Sequence, residues 1–177
     1  MKIFKTPLLL LLLFLIISQL SFAQDKAPKY SDIVVENPEP EADIKVVNNY
    51  VNALINNKMM EAKELLSDNY IGYGPAANDS ITKQATLDSW NETHKIRSNE
   101  KVSFVTATIR VVQGEYKGDW VYQFGTYSFT QDGKDIELPY QFTALVNNGK
   151  IERSSIYYDN LAILKALGYQ IIPPSKE

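Results

Sequence analysis

Three consecutive segments decide the architecture: DWVYQFGTYSFT (residues 119–130), IELPYQFTALV (136–146) and KIERSSIYY (150–158). Each is rich in Val, Ile, Thr, Tyr and Phe and alternates at period two, the pattern of strands. The run before them, KVSFVTATIRVVQ (101–113), reads the same way. Gly114 to Gly118, Gln131 to Asp135 and Asn147-Asn148-Gly149 separate the four runs at hairpin distances, and Asn148-Gly149 is a strong tight-turn signal. The second half is therefore predicted as an antiparallel meander of four long strands.

Before Asn99 the period is helical. Ile44, Val47, Val51 and Leu54 recur at helical spacing, with Glu39, Glu41 and Asp43 around the start, where the macrodipole favours negative charge. Asn56-Asn57 ends this helix. A short second helix is predicted over Met59 to Leu66, and a brief strand over Asn69 to Tyr73, stopped by Gly74-Pro75. Ser80 or Thr82 is placed to cap a third helix reaching about Ile96, with Leu87, Trp90 and His94 on its inner face. A last helix, Leu161 to Leu167, stops at Gly168. Helices first and a meander afterwards imply an α+β domain with helices against one face of a curved sheet, whose open end suits a small molecule.

Of the 177 residues none is cysteine, which excludes disulfides, thiolate metal sites and a cysteine nucleophile. Lys2 and Lys5 precede an apolar run from Leu8 to Ile17, and Ser21-Phe22-Ala23 supplies small residues for a cut after Ala23. This is the signal-peptide pattern, and the run is shorter than the roughly 20 apolar residues of a spanning helix. Residues 1–23 are expected to be removed, 24–40 to form an extended, proline-bearing linker that Ile33-Val34-Val35 can pin to the domain, 41–170 to fold, and 171–177 to be a tail. The mature protein is then expected in the periplasm or outside the cell, with no stable membrane anchor. Without Lys2 and Lys5 it carries 16 basic against 21 acidic residues, a balance unsuited to nucleic acid.

The order helix, short helix, short strand, helix, four long strands resembles the NTF2-like superfamily, particularly its SnoaL-like branch. The closing segment from Ile151 to Leu161, with aromatic-aromatic-Asp at Tyr157-Tyr158-Asp159 and a short last helix ending in Leu167-Gly168, carries the local match. The resemblance spans about residues 40 to 169. It implies helices packed in a cone of four long antiparallel strands plus a short one. It also implies a range of activities, among them isomerases, cyclases, dehydratases and epoxide hydrolases, between which a fold does not choose.

Two residues are candidates for acid–base chemistry. Asp159, ending a strand beside two tyrosines, can act as base or cap the following helix, and the resemblance favours an acid facing the cavity at this point. His94, the single histidine, either exchanges protons at a pocket mouth or hydrogen-bonds a backbone carbonyl at the core edge. No acid partner is fixed by its spacing. The 11 tyrosines suggest an amphipathic wall, and Tyr70, Trp90, Tyr122, Phe124, Tyr140 and Tyr157 are the candidate ligand contacts. Alternation leaves open which face lines the cone, because both faces mix apolar and polar groups. Arg110, Asp88 and Asp68 read as surface ion pairs, since they do not reproduce the Asp-Arg-Asp pattern of epoxide hydrolases of this fold. Neither a metal-ligand cluster nor a phosphate loop nor a Gly-x-Ser-x-Gly elbow is present, so no metal or cofactor is expected.

The expectation is an exported domain that binds a small apolar or aromatic molecule without catalysis. The alternative is a SnoaL-like enzyme moving a proton beside a carbonyl with Asp159 or His94. Trp120 or Phe129 exposed on the outer sheet face would offer apolar area for a homodimer.

Overall fold

A computed structural model describes residues 27–172 of the chain. The expected signal peptide, the first residues of the linker and the last five residues lie outside the described residues. The chain divides into two units between Asp32 and Ile33. In the described part of the first, the Lys29 amide donates to Asp32 Oδ2 at 3.0 Å, and the Asp32 amide to the Lys29 carbonyl at 2.9 Å. These bonds open a single helical turn, α1 (Tyr30–Ile33).

The second unit holds β1 (Val34–Val35), α2 (Pro40–Ile55), α3 (Met59–Leu65), β2 (Leu66–Tyr73), β3 (Ser80–Thr82), α4 (Lys83–Ile96), β4 (Ser98–Val111), β5 (Gly118–Gln131), β6 (Lys134–Asn147), β7 (Lys150–Tyr158) and α5 (Asn160–Ala166). One seven-stranded sheet runs β1-β4-β5-β6-β7-β2-β3. All neighbours are antiparallel except β2 and β7, which run parallel. The meander and the helix order follow the sequence pattern. Three short strands flank the meander rather than one, and β2 begins at Leu66 instead of Asn69.

The stretch expected as an extended linker is more structured than that. It contains α1, while the expected pin is present as β1, which pairs Val34 with Val111 and Val35 with Arg110. Asn37 is buried: its Nδ2 donates to Asp43 Oδ2 and to Thr108 Oγ1, both at 2.8 Å, while its Oδ1 accepts from the Glu39 amide. A proline-rich composition concealed this clamp because one asparagine makes it.

Local chemistry sets the other boundaries. Pro40 occupies the first turn of α2, where its missing N–H costs nothing. Thr82 caps α4, accepting from the Ala85 amide at 3.4 Å. Asp132-Gly133 and Asn148-Gly149 all have positive φ, as two-residue hairpin turns demand. Gly168, at φ +95°, follows α5.

α2 lays Val47, Tyr50, Val51 and Leu54 on the inner face of the sheet, against Val121, Phe142 and Ala144. On β5 the inner residues are Val121, Gln123, Tyr127 and Phe129, all buried, whereas Phe124 is exposed on the opposite face. A bulge at Glu152 shifts the β6–β7 register between Leu145↔Arg153 and Val146↔Ile151. Ile151 and Ser154 are therefore both buried, although strict alternation separates them.

Gly125 sits where β5 must pass closest to its neighbours. A Cβ there would lie 2.3 Å from the Ser103 carbonyl oxygen and 2.9 Å from Tyr140 Cε1. A side chain at this point would push β4 and β6 apart, so the glycine lets the sheet curl. Gly125→Ala is expected to cost about 1–3 kcal/mol by overpacking. A urea midpoint unchanged from wild type would show that the strands have room to spare.

Candidate functional site

Where α2 and α4 diverge from the curled sheet they leave a cavity of about 250 Å³. Its wall takes Tyr50 and Leu54 from α2, Thr86 and Trp90 from α4, Tyr70 from β2 and Val102 from β4. Tyr127, Tyr140, Phe142, Ser154 and Tyr158 close it from the sheet, with Arg97 just after α4. Among the described residues no carboxylate and no histidine lines it.

The hydroxyls of this wall are largely committed to one another. Tyr70 Oη and Ser154 Oγ share a hydrogen bond at 2.6 Å. Tyr140 Oη donates to Gln123 Oε1 at 3.0 Å, and the fully buried Gln123 donates from Nε2 to Asn48 Oδ1 at 2.8 Å. Tyr127 donates to Glu100 Oε2. Phenols so placed keep their protons: burial pushes Tyr140 up to about 12, and burial reinforced by the neighbouring Glu100 raises Tyr127 further. Burial likewise raises Tyr50 well above its ordinary value and raises Tyr70, where the Ser154 bond opposes it.

The structure separates the six expected contacts into two groups. Tyr70, Trp90 and Tyr140 line the cavity. Tyr122, Phe124 and Tyr157 stand outside it on the far face of the sheet, in the cross-strand pairings Tyr122↔Thr143, Phe124↔Gln141 and Gln141↔Tyr157. Tyr127 and Tyr158, one strand position away in parity, take the inner places. Sequence reasoning counted Tyr127 among the tyrosines able to form the wall, and passed over Arg97, Tyr50, Ser154 and Tyr158.

Neither acid–base candidate reaches the cavity wall. Asp159 Oδ1 accepts from the Ala162 amide at 3.0 Å, the N-cap of α5. It shares the outer parity of Arg153, Ser155 and Tyr157, which explains why it turns away. His94 is enclosed between helices and sheet. Its Nδ1 meets Glu100 Oε1 at 2.5 Å, its Nε2 meets the Leu54 carbonyl at 2.9 Å, and both side chains are 8% exposed. Both ring nitrogens are thereby engaged by oxygen atoms. The missed acid partner comes from the next element, on the far side of the bend at Arg97.

The other charged candidates lie outside the wall. Arg110 makes a bidentate pair with Asp119 at 2.6 and 2.5 Å, Asp68 pairs with Lys83, and Asp88 accepts from Gln84. Among the described residues no group of three His, Asp or Glu is placed to hold a metal. On the outer face Trp120 is buried, its Nε1 donating to the Tyr116 carbonyl at 2.6 Å and its ring covered by Arg153. Phe129 is interior. Exposed apolar residues there include Val105, Phe124 and Tyr157.

Removing one member of the enclosed pair strands the other. His94→Ala is expected to lower unfolding free energy by about 3–5 kcal/mol, measured in urea, because Glu100 is left buried with the Tyr127 hydroxyl as its remaining partner. A second expectation concerns alkali. An unfolded phenol ionises near about pH 10 and folded Tyr140 near about 12, so folded chains bind more protons between those values. The stabilisation is complete below about pH 10 and disappears as pH rises through about 12. Tyr140→Phe should flatten the fall of the urea midpoint across this window, and an unaltered slope would assign the fall elsewhere.

No family model matches the sequence, and no curated protein matches it. Solved structures do. An LEH-like epoxide hydrolase of Mycobacterium tuberculosis superposes with a TM-score of 0.57 at 18% identity, over 73% of this chain and 92% of its own. A Catenulispora acidiphila protein with a ketosteroid isomerase-like fold gives 0.58 at 16%, over 76% and 95%. A Shewanella putrefaciens protein assigned to the SnoaL-like polyketide cyclases gives 0.59 at 15%, over 74% and 98%. At these identities the likeness is one of fold. The chain has the NTF2-like cone fold that these structures share.

Proposed function

We propose that this chain is an exported binding module that takes a small apolar or aromatic molecule into its cone without converting it. The observation that carries this reading is the cavity wall: aromatic and aliphatic carbon with hydroxyls, and among the described residues neither carboxylate nor histidine. A volume of about 250 Å³ lies just below the roughly 300–1,000 Å³ typical of ligand pockets, which favours a compact ligand. Proton transfer beside a carbonyl, as in the SnoaL-like enzyme alternative, draws no support from Asp159 or His94, since one caps a helix and the other is enclosed. Export rests on the leader pattern of residues 1–23.

Native mass spectrometry of the protein purified gently from its own host is expected to show one small-molecule adduct per chain. Asp159→Ala should then lower stability by about 1 kcal/mol, the worth of an N-cap, and leave the adduct in place. An apo mass, together with no saturable quenching of tryptophan fluorescence by 2-naphthol, would sink the binding reading.

We propose also that two copies pair through the outer sheet face. The cross-strand row Val105–Phe124–Gln141–Tyr157 supports this, being uncharged and exposed at three of its four positions. Sedimentation at micromolar concentration is expected to give a dimer that Phe124→Lys converts to a monomer. A monomeric wild type would refute the pairing.

A further inference from the structure

Arg97 is the one charged residue in the cavity wall among the described residues, and no described carboxylate lies within ion-pair distance of it. Its position is fixed from three sides. Its backbone amide closes α4 on the Thr93 carbonyl, its Nε donates to Gln131 Oε1 at 3.1 Å, and its guanidinium lies 4.0 Å over the Phe129 ring. With Nε on Gln131 and the guanidinium also engaging the Tyr127 hydroxyl, the N–H groups left over are those that can act on the cavity side. The end of α4 is a favourable place for a cation, through the helix dipole, but that role would not require the group to line a cavity.

A second donor is available in the same wall. The Tyr158 hydroxyl feels the charges of both Arg97 and Asp79 and makes no hydrogen bond among the described residues, whereas the protons of Tyr127 and Tyr140 are spent on Glu100 and Gln123. The committed phenols present only lone pairs to a ligand. The wall therefore offers a ligand acceptors and carbon over most of its area, and in Arg97 a charge. A single cation assisted by one phenol matches a monoanion; a phosphate dianion would call for more positive charge.

We infer that Arg97 and Tyr158 form an anion subsite, and that the cavity takes a small aromatic or alicyclic monocarboxylate with its ring among Tyr50, Trp90 and Phe142. This rests on the ligand-binding reading above and narrows it to one chemical class. No covalent step is involved.

The test uses two probes of one shape, 2-naphthoate and 2-naphthamide, titrated calorimetrically into the protein. Wild type is expected to bind the acid at least tenfold more tightly than the amide. Arg97→Met should bring the acid down to the level of the amide while changing the amide less than about twofold. Tyr158→Phe, which removes only the hydroxyl, should weaken the acid severalfold and spare the amide. If Arg97→Met does not fold, the wild-type ratio and Tyr158→Phe decide the matter. Equal affinities in wild type, or a tighter amide, would overturn the anion subsite while leaving the cavity a binding site. An equal loss of both probes in Arg97→Met would make the arginine a packing residue and likewise overturn the subsite. Failure of wild type to bind either probe at millimolar concentration would remove the binding reading and this one together.

Discussion

The buried amide of Gln123 is the constraint around which the rest of the domain is arranged. An uncompensated amide in an apolar interior costs several kcal/mol, so its partners must be in place whenever the chain is folded. Gln123 Nε2 meets Asn48 on α2, Asn48 Oδ1 also accepts from Thr106 Oγ1 on β4 at 2.8 Å, and Gln123 Oε1 holds Tyr140 on β6. One helix and three strands are thereby fixed at a common distance. Apolar packing alone would let α2 slide along the sheet, whereas a satisfied polar network gives it a single seat.

That seat determines what remains empty. With α2 held over the middle strands, the inner face beyond Tyr140 is covered only where α4 and α5 reach it. The His94–Glu100–Tyr127 chain ties α4 to the carbonyl end of α2 and to β5, so the gap is bounded rather than collapsed. The same chain takes the histidine out of solvent reach and spends the Tyr127 proton. His94 and Glu100 are thus kept off the cavity wall for structural reasons, and the one charge on that wall among the described residues arrives from the residue at which α4 turns into β4.

Periodicity made the four long strands and the helices legible, because each spans enough turns or alternations to average out single exceptions. β1 and β3 are two and three residues long and carry no period to detect. Face assignment failed for a different reason. Trp120, Tyr122 and Phe124 on one side and Val121, Tyr127 and Phe129 on the other have the same composition, and only contact with α2 distinguishes them. In the closing motif the aromatic pair Tyr157-Tyr158 put the choice on a single residue, and the bulge at Glu152 altered the parity before it. Asp159 was legible in both its roles, and the register of β7 decided between them. Glu100 could not be attached to His94 from spacing, since a helix end and a reversal intervene.

The parallel seam between β2 and β7 carries a kinetic consequence. The meander from β4 to β7 closes through short hairpins, but the Tyr70–Ser154 bond joins residues 84 positions apart. Loop-closure entropy makes such a contact late in folding, after the local pairings have formed. Both residues belong to the cavity wall, so no enclosed cavity exists until the last seam has shut. A molecule held inside would then act on the rate of unfolding more than on the rate of folding, slowing the escape of a chain that had already found its shape. Occupancy would thus lengthen the working life of the fold itself.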